Sequence, residues 1–282
     1  MILLWETNDI TDMGSAVCKE VWRPADPKSM HNLWAPEIHR INDKWYIYYA
    51  ADDGNTDNHQ IYVLENDART PMEGTFKQKG PIMTNQEWNW GIHASTFVHK
   101  GVQYLIWSGW PKRRIMEETQ CIYIAKMKNP WTLDGERIML SSPEYNWERQ
   151  WVNPDGSRTA YPIYVNEAPT FLYSKDKKNL IIYYSASGCW SPYYCIGMLS
   201  CSADADLLDP KSWKKQQIRY FINLRKTVCG DQAVPHLSLL QIVQNGICFI
   251  MQEIYLMELP EKVRVEHHAY RRFHGMRIIC RY

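Results

Sequence analysis

Apolar runs that alternate with a period of two recur in triplets along the chain. The triplets start at A-P-E-I from Ala35, A-S-T-F from Ala94 and A-P-T-F from Ala168. A second run, rich in aromatic and β-branched residues, follows each start: WYIYYA from Trp45, YLIWS from Tyr104 and IIYYS from Ile181. A third comes after it: IYVL from Ile61, IYIA from Ile122 and IGML from Ile196. Such runs read as strands. Acidic, Pro-bearing, turn-rich tails close the copies, at Asn66 to Gly74, Lys128 to Gly135 and Ser202 to Trp213. The period is 59 residues from Ala35 to Ala94 and 74 from Ala94 to Ala168, with the excess in a polar insertion around Trp147 to Ser157. Repeated strand groups at this spacing predict four-stranded propeller blades. A helical solenoid is disfavoured because no 3.6-residue pattern recurs, and a β-sandwich, the rival, lacks this longer copy number.

The same register organises the ends. Met1 to Ala16 matches the third run and tail of a blade, so the chain is expected to start mid-blade, without that blade's first two strands. The fold class is therefore all-β, an incomplete propeller of about three full blades plus partial ones over residues 1–216. Residues 217–282 diverge: the acidic tails vanish, and Val263 to Tyr282 is basic and His-rich. One reading is a solvated basic tail. The other is a shifted frame, since allowed codons read one step over can spell G-V-W-G-P-G across Thr227 to Gln232 and T-S-R-I-Q-K-I-S-W-D-E across Glu266 to Arg277. On either reading this segment is not expected to fold as a native blade. An unclosed ring leaves unpaired strand edges, which predicts self-association.

Composition narrows the partners. A chain of 282 residues, 45% hydrophobic and 22% charged, suits one large all-β domain. Its 13 Trp and 18 Tyr against 6 Phe mark half-buried aromatics with a polar handle, suited to stacking on carbohydrate. A formal net charge of +1 offers no field for nucleic acid or an acidic membrane. The eight Cys form no C-x-x-C pair, so buried free thiols are expected. The apolar run at Met1 to Leu4 is too short for a signal peptide or span, so as written the chain is expected to be soluble and cytoplasmic.

In a propeller the start of each innermost strand lines the central channel. The residues preceding the aligned Ala are Trp34, His93 and Glu167, which should converge there. A carboxyl beside an aromatic ring and an imidazole suits a general acid for a glycosidic oxygen, because burial raises its pKa towards working pH.

The stretch W-A-P-E-I-H-R-I-N-D-K-W-Y-I-Y-Y-A-A-D-D-G from Trp34 resembles glycoside hydrolase family 43. The resemblance continues through NHQIYVLEND from Asn58, YLIWSGW from Tyr104, CIYIAKMKNPW from Cys121, VNEAP from Val165 and Tyr184 to Pro210, covering roughly residues 1–216. It implies a five-bladed propeller that hydrolyses arabinofuranosides or xylosides of plant polysaccharide with inversion, and its wording is most similar to the arabinofuranosidase branch. It places Glu167 as the general acid and His93 where the family has an Asp that tunes that acid. The family's base, an Asp on the innermost strand of the first blade, has no match here. That predicts impaired hydrolysis, or a non-catalytic carbohydrate-binding remnant as the alternative.

Asp52, Asp53 and Asp57 are candidate substitute bases, though turn-capping accounts for them better; Glu37 reads as a structural hydrogen-bond partner. Trp110, Trp190 and Tyr194 follow strands and read as sugar-stacking residues or as packing. His59 lies near the site by the resemblance, while a lone His is more often a satisfied structural residue. The family often carries a channel cation, but no matching G-P-G-H occurs, so no metal ligand and no cofactor are assigned. The expected partner is an arabinose- or xylose-containing oligo- or polysaccharide.

Overall fold

The structure, a computed structural model, describes residues 1–7, 13–87, 89–113, 118–150, 157, 162–189, 193–219, 221–222 and 276–280. Its regular elements are strands and short 3₁₀ turns. Strands β1 (Ile2–Thr7) and β2 (Val17–Trp22) pair antiparallel. β3 (His31–Ile41), β4 (Lys44–Asp52), β5 (Gln60–Asn66) and β6 (Lys77–Pro81) form a four-stranded antiparallel sheet in chain order. The second blade has β7 (Gly91–His99), β8 (Val102–Gly109) and β9 (Glu118–Asn129), with β10 (Thr132–Leu133) and β11 (Ile138–Ser141) on the far edge of β9. The third has β12 (Ile163–Tyr173), β13 (Asn179–Ala186) and β14 (Cys195–Ser202), edged by β15 (Lys214–Lys215) and β16 (Phe221–Ile222). Finally β17 (Met276–Cys280) pairs antiparallel with β1, from Leu3 opposite Cys280 to Thr7 opposite Met276.

The three sequence copies are thus three blades of an incomplete propeller, and each blade also gains an outer strand beyond the three runs. Tight turns join the inner and second strands of the first two blades. Asn42 and Asp43 (φ 48° and 62°), like Lys100 and Gly101 (φ 49° and 78°), hold two successive left-handed residues. That geometry matches strand twist in a two-residue hairpin.

The core lies between blades. Ile41, Tyr46, Tyr48, Ile61 and Val63 of the first blade pack on Leu105, Trp107, Tyr123 and Ala125 of the second. Phe97, Tyr104, Ile106, Ile122 and Ile124 of the second meet Leu180, Ile182 and Tyr184 of the third. Ile2 of β1 packs with Ile47, Tyr49 and Leu64. The face-to-face stack of Phe97 on Phe171, at 3.8 Å between centroids, is one such contact. Blades two and three are also joined by a short parallel ladder, in which Glu118, Thr119 and Gln120 pair with Ile163, Tyr164 and Val165. This ladder brings the start of β9 beside the start of β12.

One expectation changes and another is left untested. Cys121, Cys195 and Cys201 are buried free thiols, but Cys18 is exposed on β2. The proposed frame change falls mainly on residues 223–275, which lie outside the described residues.

Candidate active site

Each innermost strand carries the same kink. Trp34 pairs with Ala50 and Glu37 with Tyr48; Ile92 pairs with Ser108 and Ser95 with Ile106; Glu167 pairs with Ser185 and Thr170 with Tyr183. In every blade two residues stand against one, the signature of a β-bulge. The first of the two is left-handed: Ala35 (φ 43°), His93 (φ 51°) and Ala168 (φ 50°). The alignment on Ala is therefore one residue out in the second blade. Ile92, not His93, is the counterpart of Trp34 and Glu167. His93 itself fills the bulge, a position that His tolerates better than most side chains. It still meets Glu167, with Nδ1 3.8 Å from Oε2.

Both groups are deeply buried, His93 at 7% and Glu167 at 6% exposure. Burial pushes the Glu167 carboxyl up to about 8; the charge of Glu118 raises it further, while a hydrogen bond with Tyr194 pulls it down. Burial, and then the charge of His59, push His93 down to about 4. At neutral pH the pair is a protonated carboxyl facing a neutral imidazole. Glu167 Oε1 and His93 Nδ1 are buried without a hydrogen-bond partner among the described residues. Buried polar atoms are nearly always paired, so these two mark a place for an incoming hydroxyl or ether oxygen.

The neighbours of Glu167 make opposite predictions. Tyr194→Phe removes the hydrogen bond that favours the charged form, so the alkaline limb of the activity profile moves up. Glu118→Gln removes a repelling charge, so that limb moves down. Limbs shifting together, or not at all, would break this account.

The remaining candidates are placed as follows. Trp34 stacks on His59 at 3.9 Å between centroids. His59 is fully buried: Nε2 lies 2.9 Å from Asn32 O, and Nδ1 lies 3.1 Å from Thr56 O and 3.0 Å from an Asp52 oxygen. It packs against the Trp34 ring and is held by these polar partners. Asp52 also accepts from Asn32 Nδ2 and Gly54 N, while Asp53 accepts from Asn55 N and Asn58 Nδ2. Glu37 lies 3.1 Å from His39. Trp110 is only 2% exposed and stacks on Trp90 at 4.2 Å, so it packs rather than offering a sugar platform. Tyr194, at 6% exposure, is hydrogen-bonded with Glu167. Trp190 lies outside the described residues.

Sequence reasoning missed the cluster behind Glu167. Glu148, from the polar insertion, is fully buried. Its Oε1 accepts from Asn166 Nδ2 (3.0 Å) and Tyr184 Oη (2.8 Å) and lies 2.8 Å from Lys215 Nζ; Oε2 accepts from the amides of Glu144 and Tyr145. Asn166 also accepts from Ser141 Oγ through its side chain and from Ser108 Oγ through its backbone carbonyl. Blades two and three are thus clasped at the residue adjoining Glu167. Gly197 makes room for the clasp, since a Cβ there would run into the Tyr184 ring.

Comparison with known proteins bears on this arrangement. The family described as glycosyl hydrolases family 43 matches residues 2–229. The chain belongs to glycosyl hydrolase family 43. Among curated family 43 relatives, an extracellular exo-α-(1→5)-L-arabinofuranosidase of Streptomyces chartreusis is 34% identical over 223 residues, covering 78% of this chain and 62% of the relative. Alpha-L-arabinofuranosidase 43 of Humicola insolens is 33% identical over 251 residues, covering 89% of this chain and 48% of the relative. This family 43 chain therefore spans about half to three-fifths of their lengths. The crystal structure of an α-L-arabinofuranosidase from Lactobacillus brevis superposes with a TM-score of 0.62 at 32% identity, covering 73% of this chain and 62% of that one. Together with the blades described here, these matches make the fold that of a five-bladed family 43 propeller, of which three blades are complete among the described residues.

Proposed function

We propose that the chain acts on α-L-arabinofuranosidic bonds of plant polysaccharide, with Glu167 as the general acid that protonates the leaving oxygen. One observation carries this reading: a buried carboxyl pushed up to about 8, with one oxygen unpaired. Such a group is protonated at neutral pH and can donate that proton to a leaving oxygen. His93, neutral beside it, is suited to a hydrogen bond with a sugar hydroxyl. Trp34 supplies an apolar wall. The relatives' names supply the sugar class.

Inversion also requires a carboxylate that activates water across the ring, roughly 6.5–9.5 Å from the acid. Asp52, Asp53 and Glu37 are each engaged by the partners described above, which disfavours them for that role. The same observation favours a second reading, a propeller that binds arabinose-type sugars without cleaving them. Calorimetry with arabino-oligosaccharides, paired with product analysis, separates the two. Turnover lost in Glu167→Gln supports the hydrolase, whereas binding by the unaltered chain with no product supports the binding module.

A further inference from the structure

At the end of the blades away from Glu167 lies a cavity of about 690 Å³ lined by His99, Lys100, Tyr173, Lys177, Lys178, Ser202, Ala203 and Asp204. It opens between the inner hairpins of blades two and three. Tyr173 stands six residues beyond Glu167 on β12, roughly 20 Å away at ~3.3 Å per residue. The cavity is therefore separate from the acid site.

Its wall is ordered by specific bonds. His99 is 7% exposed, and its Nε2 lies 2.9 Å from Ala203 O, so that nitrogen carries the hydrogen. Its Nδ1 lies 2.9 Å from the Tyr173 hydroxyl. Phe171 braces the Tyr173 ring edge-on at 5.0 Å, yet Tyr173 remains 38% exposed. The result is a fixed aromatic surface half open to solvent. Lys177 and Lys178 project from the turn that follows. Asp176 organises that turn by accepting from Ser174 Oγ and Lys178 N, and Lys177 takes a left-handed φ of 58°. Lys100 pairs with Asp204 at 2.8 Å, whereas Lys177 and Lys178 have no carboxylate partner among the described residues. Three ammonium groups against the single Asp204 carboxylate leave the lining positive.

An aromatic face flanked by lysines matches a ligand with flat C–H faces and carboxylates at ring spacing. We propose that this cavity is a second carbohydrate site, which binds uronic-acid-bearing oligosaccharides through the Tyr173 ring and the Lys177 and Lys178 ammonium groups. A nucleic acid or a bare inorganic anion fits less well: the chain's net charge is only +1, and an anion alone makes no use of the ring. The site does not depend on the role of Glu167.

The test is calorimetric titration of the whole chain with oligogalacturonate, using a neutral arabino-oligosaccharide of equal length and inorganic sulfate as controls. Oligogalacturonate is expected to bind, and to weaken as salt shortens the screening length from ~10 Å towards ~3 Å. Lys177→Ala/Lys178→Ala, at exposed positions, should weaken it by about tenfold or more, the scale of two lost charge-assisted contacts. Tyr173→Phe keeps the ring and should retain binding; Tyr173→Leu should lose it. Glu167→Gln should leave it unchanged. The proposal is overturned by absent binding, by equal binding of the neutral sugar or sulfate, or by binding that survives the double lysine variant.

Discussion

Glu167→Gln is expected to lower turnover of unactivated arabinofuranosides by about 10²–10⁴-fold, the usual contribution of a positioned acid. The same variant should lose far less on a dinitrophenyl glycoside. A sugar alkoxide cannot depart without a proton, whereas dinitrophenolate can, so only the first substrate needs the acid. The pH profile supplies a second readout. An acid with a pKa of about 8 works while protonated, so activity falls as pH rises through that value, and the variant should lack this limb. The stability of the unaltered chain should fall over the same rise in pH. A carboxyl raised from 4.5 to about 8 on folding gives stability that is whole below 4.5 and is lost as pH rises through 8. Gln has no charge to bury, so the variant should melt higher than the parent at alkaline pH. Equal losses on both glycosides, or an unchanged alkaline limb, would remove Glu167 from the acid's role.

Lys215→Met is expected to be the most damaging substitution for the fold. Removing one partner of a buried ion pair costs about 3–5 kcal/mol, because the other charge stays buried and uncompensated. Glu148 would keep its bonds from Asn166, Tyr184 and two amides, which places the loss towards the lower end of that range. Replacing both partners, as Glu148→Gln with Lys215→Met, leaves no stranded charge and should recover a large part of it. Denaturant unfolding of the single and double variants gives the comparison. A single-variant loss below about 1 kcal/mol, the range of an exposed pair, would mean that solvent reaches the clasp.

Much of the fold was legible because the first three strands of each blade are short runs rich in aromatic and β-branched residues, set between turn-rich segments. WYIYYA, YLIWS and IIYYS lie within β4, β8 and β13, and IYVL, IYIA and IGML within β5, β9 and β14. The outer strands were not legible. KQKGP in β6 and KK in β15 are short, polar edges with no apolar face to reveal them. Glu167 stood out through its motif, but its surroundings did not. A bulge adds one residue without altering composition, so matching Ala to Ala concealed the shift at His93. Glu148 came from a polar insertion that reads as loop, and only the packed blades show it meeting Lys215. Trp110 and His59 share one lesson. A Trp or His near a site has the same letters whether it faces sugar or a neighbouring side chain, and packing decides between them.

The pairing of β1 with β17 sets a timetable for synthesis. Leu3 and Cys280 are neighbours in the sheet but lie 277 residues apart in the chain, which is roughly 14–55 s at typical elongation rates. Throughout that interval β2 can zip onto one side of β1, while the other side offers unpaired backbone groups to any strand it meets. β1 must therefore wait for β17 before its second edge is closed.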